Sequence, residues 1–320
     1  MNLTRISPHF TPLNKGIYFG IDTESEAPRD ITVEIIERST ERIIATKQMR
    51  DVTYTEVNIA PYITLHESYT PTKQQQTLFV DAPSERYAIR VDYSTSEEVI
   101  VSVNRQETDV FSIITSSPDT RRVARGEVDQ ILIAANRTLP MRAEVVTNTG
   151  ETLTIEQVAT SDMMILNLTT DGFATSVKSF DLYIYCDNLR LGNISYKLEP
   201  SRKGGVRLAW VSESGSIERY TFPLLHKAVR SAEKHYIDTP QGVKMVRCKA
   251  KERLFVSSRY EPCAMAEMLL QITSSPKVWI EKGANFEAVE VETTAIEHNI
   301  FGKPDRVAFE LRKWQRGGKL

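Results

Sequence analysis

Residues 206–316 constrain the fold most, because they are laid out as successive hairpins with one short helix between them. RLAWVSESGSIERYTFP reads as a strand, a turn centred on Gly215 and a second strand. HYIDTPQGVKMVRC reads as a hairpin around Pro240, Gln241 and Gly242, and KVWIEKGANFEAVEV as another with Gly283 in its turn. Between them, residues 261–273 carry a helical period. Ala264, Met265, Met268, Leu269 and Ile272 form one apolar stripe, Glu261 and Pro262 suit a helix start, and Ser274, Ser275 and Pro276 end it. No residue set in this third of the chain suggests catalysis. So definite a plan with so little chemistry implies a shape-based role such as assembly.

Residues 223–236 can be read two ways. Leu225, Ala228 or Val229, Ala232 and Tyr236 recur at helical spacing, and local propensity favours helix. A strand over about 231–238 would instead pair with 243–250. The hairpin is the favoured reading, with a helical turn before it.

Upstream, apolar and polar residues alternate in short runs separated by polar turns. The runs at 16–21, 31–35, 43–45, 54–59, 78–80, 87–91 and 97–106 predict a first β-sandwich-like unit over 1–107. Those at 130–135, 143–147, 152–157, 163–168 and 180–185 predict a second over 108–202, with a hairpin turn at Asn148, Thr149 and Gly150. The segments from Val33 and from Ala143 share a rhythm of strand, turn, strand, spacer, strand, which raises duplication as a hypothesis. The run EPSRKGG at 199–205 marks the last boundary, leaving a β-rich α+β unit over 203–320 with one main helix. The fold class is mainly β.

With 320 residues and 41% hydrophobic content, the chain can fill several cores. Its net charge of -2 gives no basic field for nucleic acid. The cluster of Arg121, Arg122 and Arg125 reads as solvated surface, and the basic tail LRKWQRGGKL as a disordered end. No signal-peptide core and no stretch of about 20 apolar residues is present, so a soluble cytoplasmic protein is expected. Cys186, Cys248 and Cys263 fit reduced, mostly buried thiols. The glycosylation-type triplets at Asn2, Asn136, Asn167 and Asn193 carry no weight without a secretion signal.

Tests for chemistry return little. His9, His66, His226, His235 and His298 form no metal-ligand pattern, although His226 and His235 with Cys248 and Cys263 leave a folded metal site open. Nucleophile-elbow and phosphate-loop motifs are missing. Asp22, Glu24, Glu26 and Asp30 could form a calcium loop but lack the EF-hand spacing, so a solvated acidic turn is the better reading. Trp210, Tyr220, Phe222, Trp279 and Phe286 could line a sugar-binding face. Alternation within the hairpins favours core or a subunit contact, and Trp210, Tyr220, Phe222 and Trp279 are the assembly or core candidates.

These residues carry a resemblance. Leu208, Trp210, Gly215, Tyr220 and Phe222, followed by Tyr260-Glu261-Pro262, a short helix and Ser275-Pro276-Lys277-Val278-Trp279, resemble phage and prophage tail structural proteins of Bacteroidetes-type genomes. The segment ending Val57-Asn58-Ile59-Ala60-Pro61-Tyr62-Ile63 is similar to their N-terminal part, and about half the chain is covered. The resemblance implies a non-enzymatic virion protein of the tail tip or baseplate, similar to a distal tail protein, assembled in the host cytoplasm. It implies no catalytic residue, cofactor or metal. Its last unit would be tail-tube-like and would close a homo-oligomeric ring through hairpin contacts, six subunits matching a tail tube and a trimer a tip hub. Tail tube and hub proteins would be the partners, with no membrane span and no sequence-specific nucleic-acid binding. The alternatives are a carbohydrate-binding or adhesion module of tandem sandwiches, and an enzyme whose site follows no motif.

Overall fold

The computed structural model describes residues 1–12, 15–63, 71, 76–82, 84–102, 108, 111–201, 204–296 and 303–313. The residues at the two expected boundaries, 103–107 and 202–203, and the basic tail 314–320 lie outside them. So do His66 and His298, and the side chains of His226 and Cys248.

The fold is β-rich, with two sandwich-like units followed by a larger curled sheet around one helix. The first stretch contains β1 (Asn2–Arg5), β2 (Phe10–Pro12), β3 (Tyr18–Asp22), β4 (Arg29–Glu37), β5 (Arg42–Val52) and β6 (Tyr54–Asn58). It continues with β7 (Leu78–Asp81), β8 (Ser84–Val91), β9 (Ser94–Thr95) and β10 (Val99–Ser102). Three strands, β1-β3-β6, cover a sheet ordered β2-β10-β8-β4-β5, with β9 on β8. Alternation explains the layers: Ile31, Val33 and Ile35 of β4 point into a core shared with Phe19, Ile21, Val57 and Ile89.

The second stretch contains β11 (Ser112–Ile114), β12 (Thr120–Ala124), β13 (Val128–Ala134), β14 (Pro140–Thr147), β15 (Thr152–Val158), β16 (Met163–Thr169), β17 (Ser179–Cys186) and β18 (Leu189–Glu199). Sheets β11-β13-β16-β7 and β12-β18-β17-β14-β15 face each other. Strand β7, assigned from sequence to the first unit, belongs to the second. It pairs with β16, placing Phe79 opposite Leu166, and Phe79 is buried in the second core. Burying that ring contributes about 2–3 kcal/mol. Every residue of β13 and β16 is buried, because their sheet is covered on both faces. One face meets the second sheet. The other packs Leu132, Ala134, Met163 and Ile165 against Phe10 and Ile100 of the first unit. Both sandwiches close with a parallel pair, β2 on β10 and β12 on β18. The turn predicted at Asn148–Gly150 joins β14 to β15, with Gly150 at φ 86, where a Cβ would be strained.

The third stretch contains β19 (Val206–Val211), β20 (Ile217–Phe222), β21 (Leu224–Thr239), β22 (Gly242–Glu261), the helix α1 (Cys263–Leu270), β23 (Val278–Lys282), β24 (Asn285–Val291) and β25 (Asp305–Lys313). These strands form one antiparallel sheet, ordered β20-β19-β23-β24-β25-β22-β21. It curls until β20 touches β22, and the helix fills the concavity. The expected helix over 261–273 is real but shorter: Glu261 still pairs with Asp305 in the sheet, Pro262 caps the helix, and Gln271–Thr273 tightens to a 3-10 turn. Met265, Met268, Leu269 and Ile272 are buried as expected. Ala264 faces solvent, and Ala266 takes the inward place.

No helical turn precedes the hairpin at 231–250. Residues 224–239 form one continuous strand. The partners Asp238 and Val243 fall as the hairpin reading requires. A bulge between His235 and Tyr236 then shifts Ser231 onto Lys251 rather than Ala250.

Candidate functional site

The four aromatic candidates lie inside the third unit. In the β19–β20 ladder Leu208 faces Tyr220 and Val206 faces Phe222, while Trp210 faces Glu218. Trp210, Tyr220 and Phe222 therefore share one face and pack with the helix. Tyr220 and Phe222 meet edge to face at 4.9 Å, and Phe222 meets Phe309 at 5.7 Å. Trp279 projects from the other face and packs with Ala209, Ile217 and Phe286. All four are core residues, 8% exposed or less, so the sheet presents none of them as a platform for a ligand.

The polar residues beside them join the third unit to the middle sandwich. Glu218, 1% exposed, is held by the loop between β11 and β12. Its carboxylate accepts from Thr115 Oγ1 at 2.7 Å, the Ser116 amide at 3.0 Å and Ser117 Oγ, and from Ser216 Oγ at 2.6 Å within its own hairpin. Arg207 donates to Val128 O at 2.7 Å and Glu127 Oε2 at 2.7 Å, and Arg219 donates to Val128 O at 3.0 Å and Gln130 Oε1 at 2.8 Å. Arg259 grips Glu199 with two hydrogen bonds, at 2.6 and 2.5 Å.

Of the arginine cluster expected on the surface, Arg122 is exposed as expected, Arg125 is half-buried within the middle unit, and Arg121 is buried at this junction. Arg121 is 5% exposed and donates to Asp129 Oδ2 at 3.0 Å and Thr115 Oγ1 at 2.8 Å, and Tyr196 completes the group by donating to Asp129 at 2.6 Å. Burial alone would raise the Asp129 pKa; the Arg121 charge and the Tyr196 hydrogen bond outweigh it and hold the carboxylate ionised. Arg122 lies 3.4 Å from Glu199 and 3.7 Å from Glu261, and Arg125 donates to the carbonyls of Phe173, Thr175 and Val177. Tyr220 donates to Glu261 at 2.7 Å, and burial followed by that carboxylate pushes its pKa well up. The cavity between Arg122, Glu199, Arg259 and Glu261 has a volume of about 20 Å³, room for a water. This junction positions two units.

A similar ion group ties the first unit to the second. Asp162 accepts from Arg86 of β8 at 2.7 and 2.5 Å, and from Arg137 at 3.1 and 2.9 Å. Burial opposes ionisation there, and the hydrogen bonds from both arginines still hold its pKa low.

Among the described residues no group of three or more His, Cys, Asp or Glu is placed to hold a metal. His235 is exposed, and Cys263 at the helix start donates to Glu267. Asp22 accepts from the Glu24 amide, Asp30 from the Asp51 amide, and Glu24 pairs with the N-terminal amine.

The feature that stands apart is the β21–β22 hairpin. Strand β25 supports β22 from Arg253 to Glu261, and beyond that, among the described residues, the two strands pair only with each other in the sheet. The arm runs over residues 230–252 and projects roughly 30 Å at about 3.3 Å per residue. Near its tip Tyr236 faces Met245 and Asp238 faces Val243, which puts Tyr236, Val243 and Met245 on one face. Their exposures are 56%, 69% and 48%, and Ile237 and Val246 are 48% exposed too. Sequence reasoning found the hairpin but not the point, Arg253, at which the described pairing with β25 ends.

No family model and no curated protein matches the chain. Among solved structures it is similar to a chicken TCR, with TM-score 0.22 and 8% identity over 64% of this chain and 89% of that one. A Salmonella alpha-2-macroglobulin gives TM-score 0.23 and 9% identity over 93% of this chain and 20% of that one. Domains 4–9 of the surface layer protein SbsC give TM-score 0.20 and 9% identity over 91% and 54%. The chain thus spans a fifth of the macroglobulin and about half of the SbsC domains. At these TM-scores the likenesses carry no argument about function.

Proposed function

We propose that this chain is a non-enzymatic structural component of a phage tail tip or baseplate. It assembles with copies of itself through the β21–β22 arm. The observation that carries the reading is the arm: two strands with no third beside them among the described residues, and large apolar side chains bare near the tip. An isolated two-stranded ribbon is marginal in water, so an arm of this length gains order by lying against another surface. The plan of the third unit, hairpins around one helix, agrees with the tube-like domain that the sequence resemblance implies. Trp210, Tyr220, Phe222 and Trp279 act in the reading as the core that holds the arm's root.

Electron microscopy of the purified full chain tests it, with rings or trimers of fixed symmetry expected. A shortened chain isolates the arm's role. Ser231 and Lys251 face each other, so an Asn-Gly turn can join them in place of residues 232–250. That variant should melt within a few degrees of the parent and remain monomeric. A full chain that stays monomeric at high concentration, or a shortened one that still forms particles, defeats the proposal.

A further inference from the structure

The arm and the rest of the chain carry opposite charge. Residues 230–252 hold six Lys or Arg against three Asp or Glu, net +3, on a chain of net -2, so the remaining residues carry -5. Lys234, Lys244 and Arg230 are exposed on it. At the far end of the first sandwich the charge is negative. Asp22 ends β3 beside Tyr54, Asp30 Oδ1 meets the Asp51 amide, and Asp92 lies 3.5 Å from Arg29 at the β8–β9 turn. Glu24, Glu26 and Glu56 are exposed nearby, with Arg29, Arg50 and the N-terminal amine, which pairs with Glu24, as the positive groups of the same end. Two bare aromatics stand among these acids, Tyr54 at 60% and Tyr93 at 102% exposure. One surface is basic with apolar side chains, and the other is acidic with aromatic ones.

We infer that the arm of one copy docks on the acidic, tyrosine-bearing end of the first sandwich of a second copy. This rests on the assembly reading above and adds the receiving surface. Two arms laid together would set +3 against +3, so the charges disfavour arm-to-arm pairing and favour arm-to-body pairing. Such a contact joins unlike surfaces. Each copy gives one arm and receives another, and repetition produces a closed ring or an open filament rather than an isolated pair. Apolar contacts at the tip hold the arm, while the charges select its partner and make the contact depend on salt.

Sedimentation velocity of the full chain gives the test. Between roughly 0.05 M and 0.5 M salt, association should weaken at least about tenfold. Reversing the arm charges with Lys234→Glu and Lys244→Glu should weaken it by a similar factor at low salt. The variant Glu26→Lys with Glu56→Lys should do the same alone, and mixing it with the reversed arm should restore association. Oligomers that ignore salt and both charge reversals, yet vanish when the arm is shortened, overturn this inference and leave the assembly reading standing. A monomer under every condition overturns both. So does a monomer whose arm binds anionic vesicles or DNA.

Discussion

Replacing Glu218 by alanine should separate the third unit from the middle sandwich. The carboxylate accepts four hydrogen bonds, three of them from residues 115–117 across the junction. Ser216 can return to its neighbours, because Ser212, Ser214 and Ser216 already lie 2.8–2.9 Å from one another. Ser117 Oγ can turn to Met268 Sδ, 2.8 Å away. Two half-buried donors, Thr115 Oγ1 and the Ser116 amide, then lose their acceptor, and Arg121 loses a counter-charge 3.9 Å away. At about 1–1.5 kcal/mol for each stranded donor, the loss is about 2–3 kcal/mol. That is a large share of the stability usual for a folded chain, about 5–15 kcal/mol. Glu218→Gln keeps one acceptor oxygen and should cost about half as much. Urea unfolding followed by tryptophan fluorescence reads the effect, since Trp210 faces Glu218 across the ladder. The alanine variant should show two transitions, the earlier one assigned to the third unit. A single transition displaced by less than about 1 kcal/mol would refute the claim that this carboxylate fastens the units.

Asp162→Asn should cost about 2–3 kcal/mol at neutral pH by weakening the grip of Arg86 and Arg137. The folded carboxyl has a lowered pKa. Its contribution is therefore full above the unfolded value of about 3.9 and is lost as pH falls through the folded value. Melting curves of parent and variant should run apart from pH 5 to 8 and converge in acid. Trp210→Ala should lose about 3–5 kcal/mol through the cavity it leaves among helix and sheet, measured by denaturant titration. A smaller loss would mean that the concavity collapses easily.

Most strands were legible because alternation records which face of a sheet is buried, and β4, β14 and β17 carry that record cleanly. The arm's first strand carried a helical period beside the favoured hairpin reading, because its described side chains from Ala228 to Thr239 lie mostly in solvent and leave propensity to speak. Strand β12 was hidden by its arginines. The acids that make Arg121 an interior residue are Asp129, eight positions on, and Glu218, nearly a hundred away. Strand β7 looked local to the first unit because its own residues hold no mark of β16, whose pairing takes it across. The spacing of the aromatic set showed which side chains share a face and left core and subunit contact open; burial in the structure places them in the core.

The placement of β7 also affects how the chain is made. Residues 78–81 leave the ribosome roughly 85 residues before the strand they pair with, and synthesis at about 5–20 residues per second puts roughly 4–17 s between them. During that interval the nascent first unit carries Leu78, Phe79 and Val80 with no strand to receive them. The middle unit likewise lacks one edge strand of its first sheet until β7 is paired. The two sandwiches therefore mature together, when β16 emerges and takes the waiting strand.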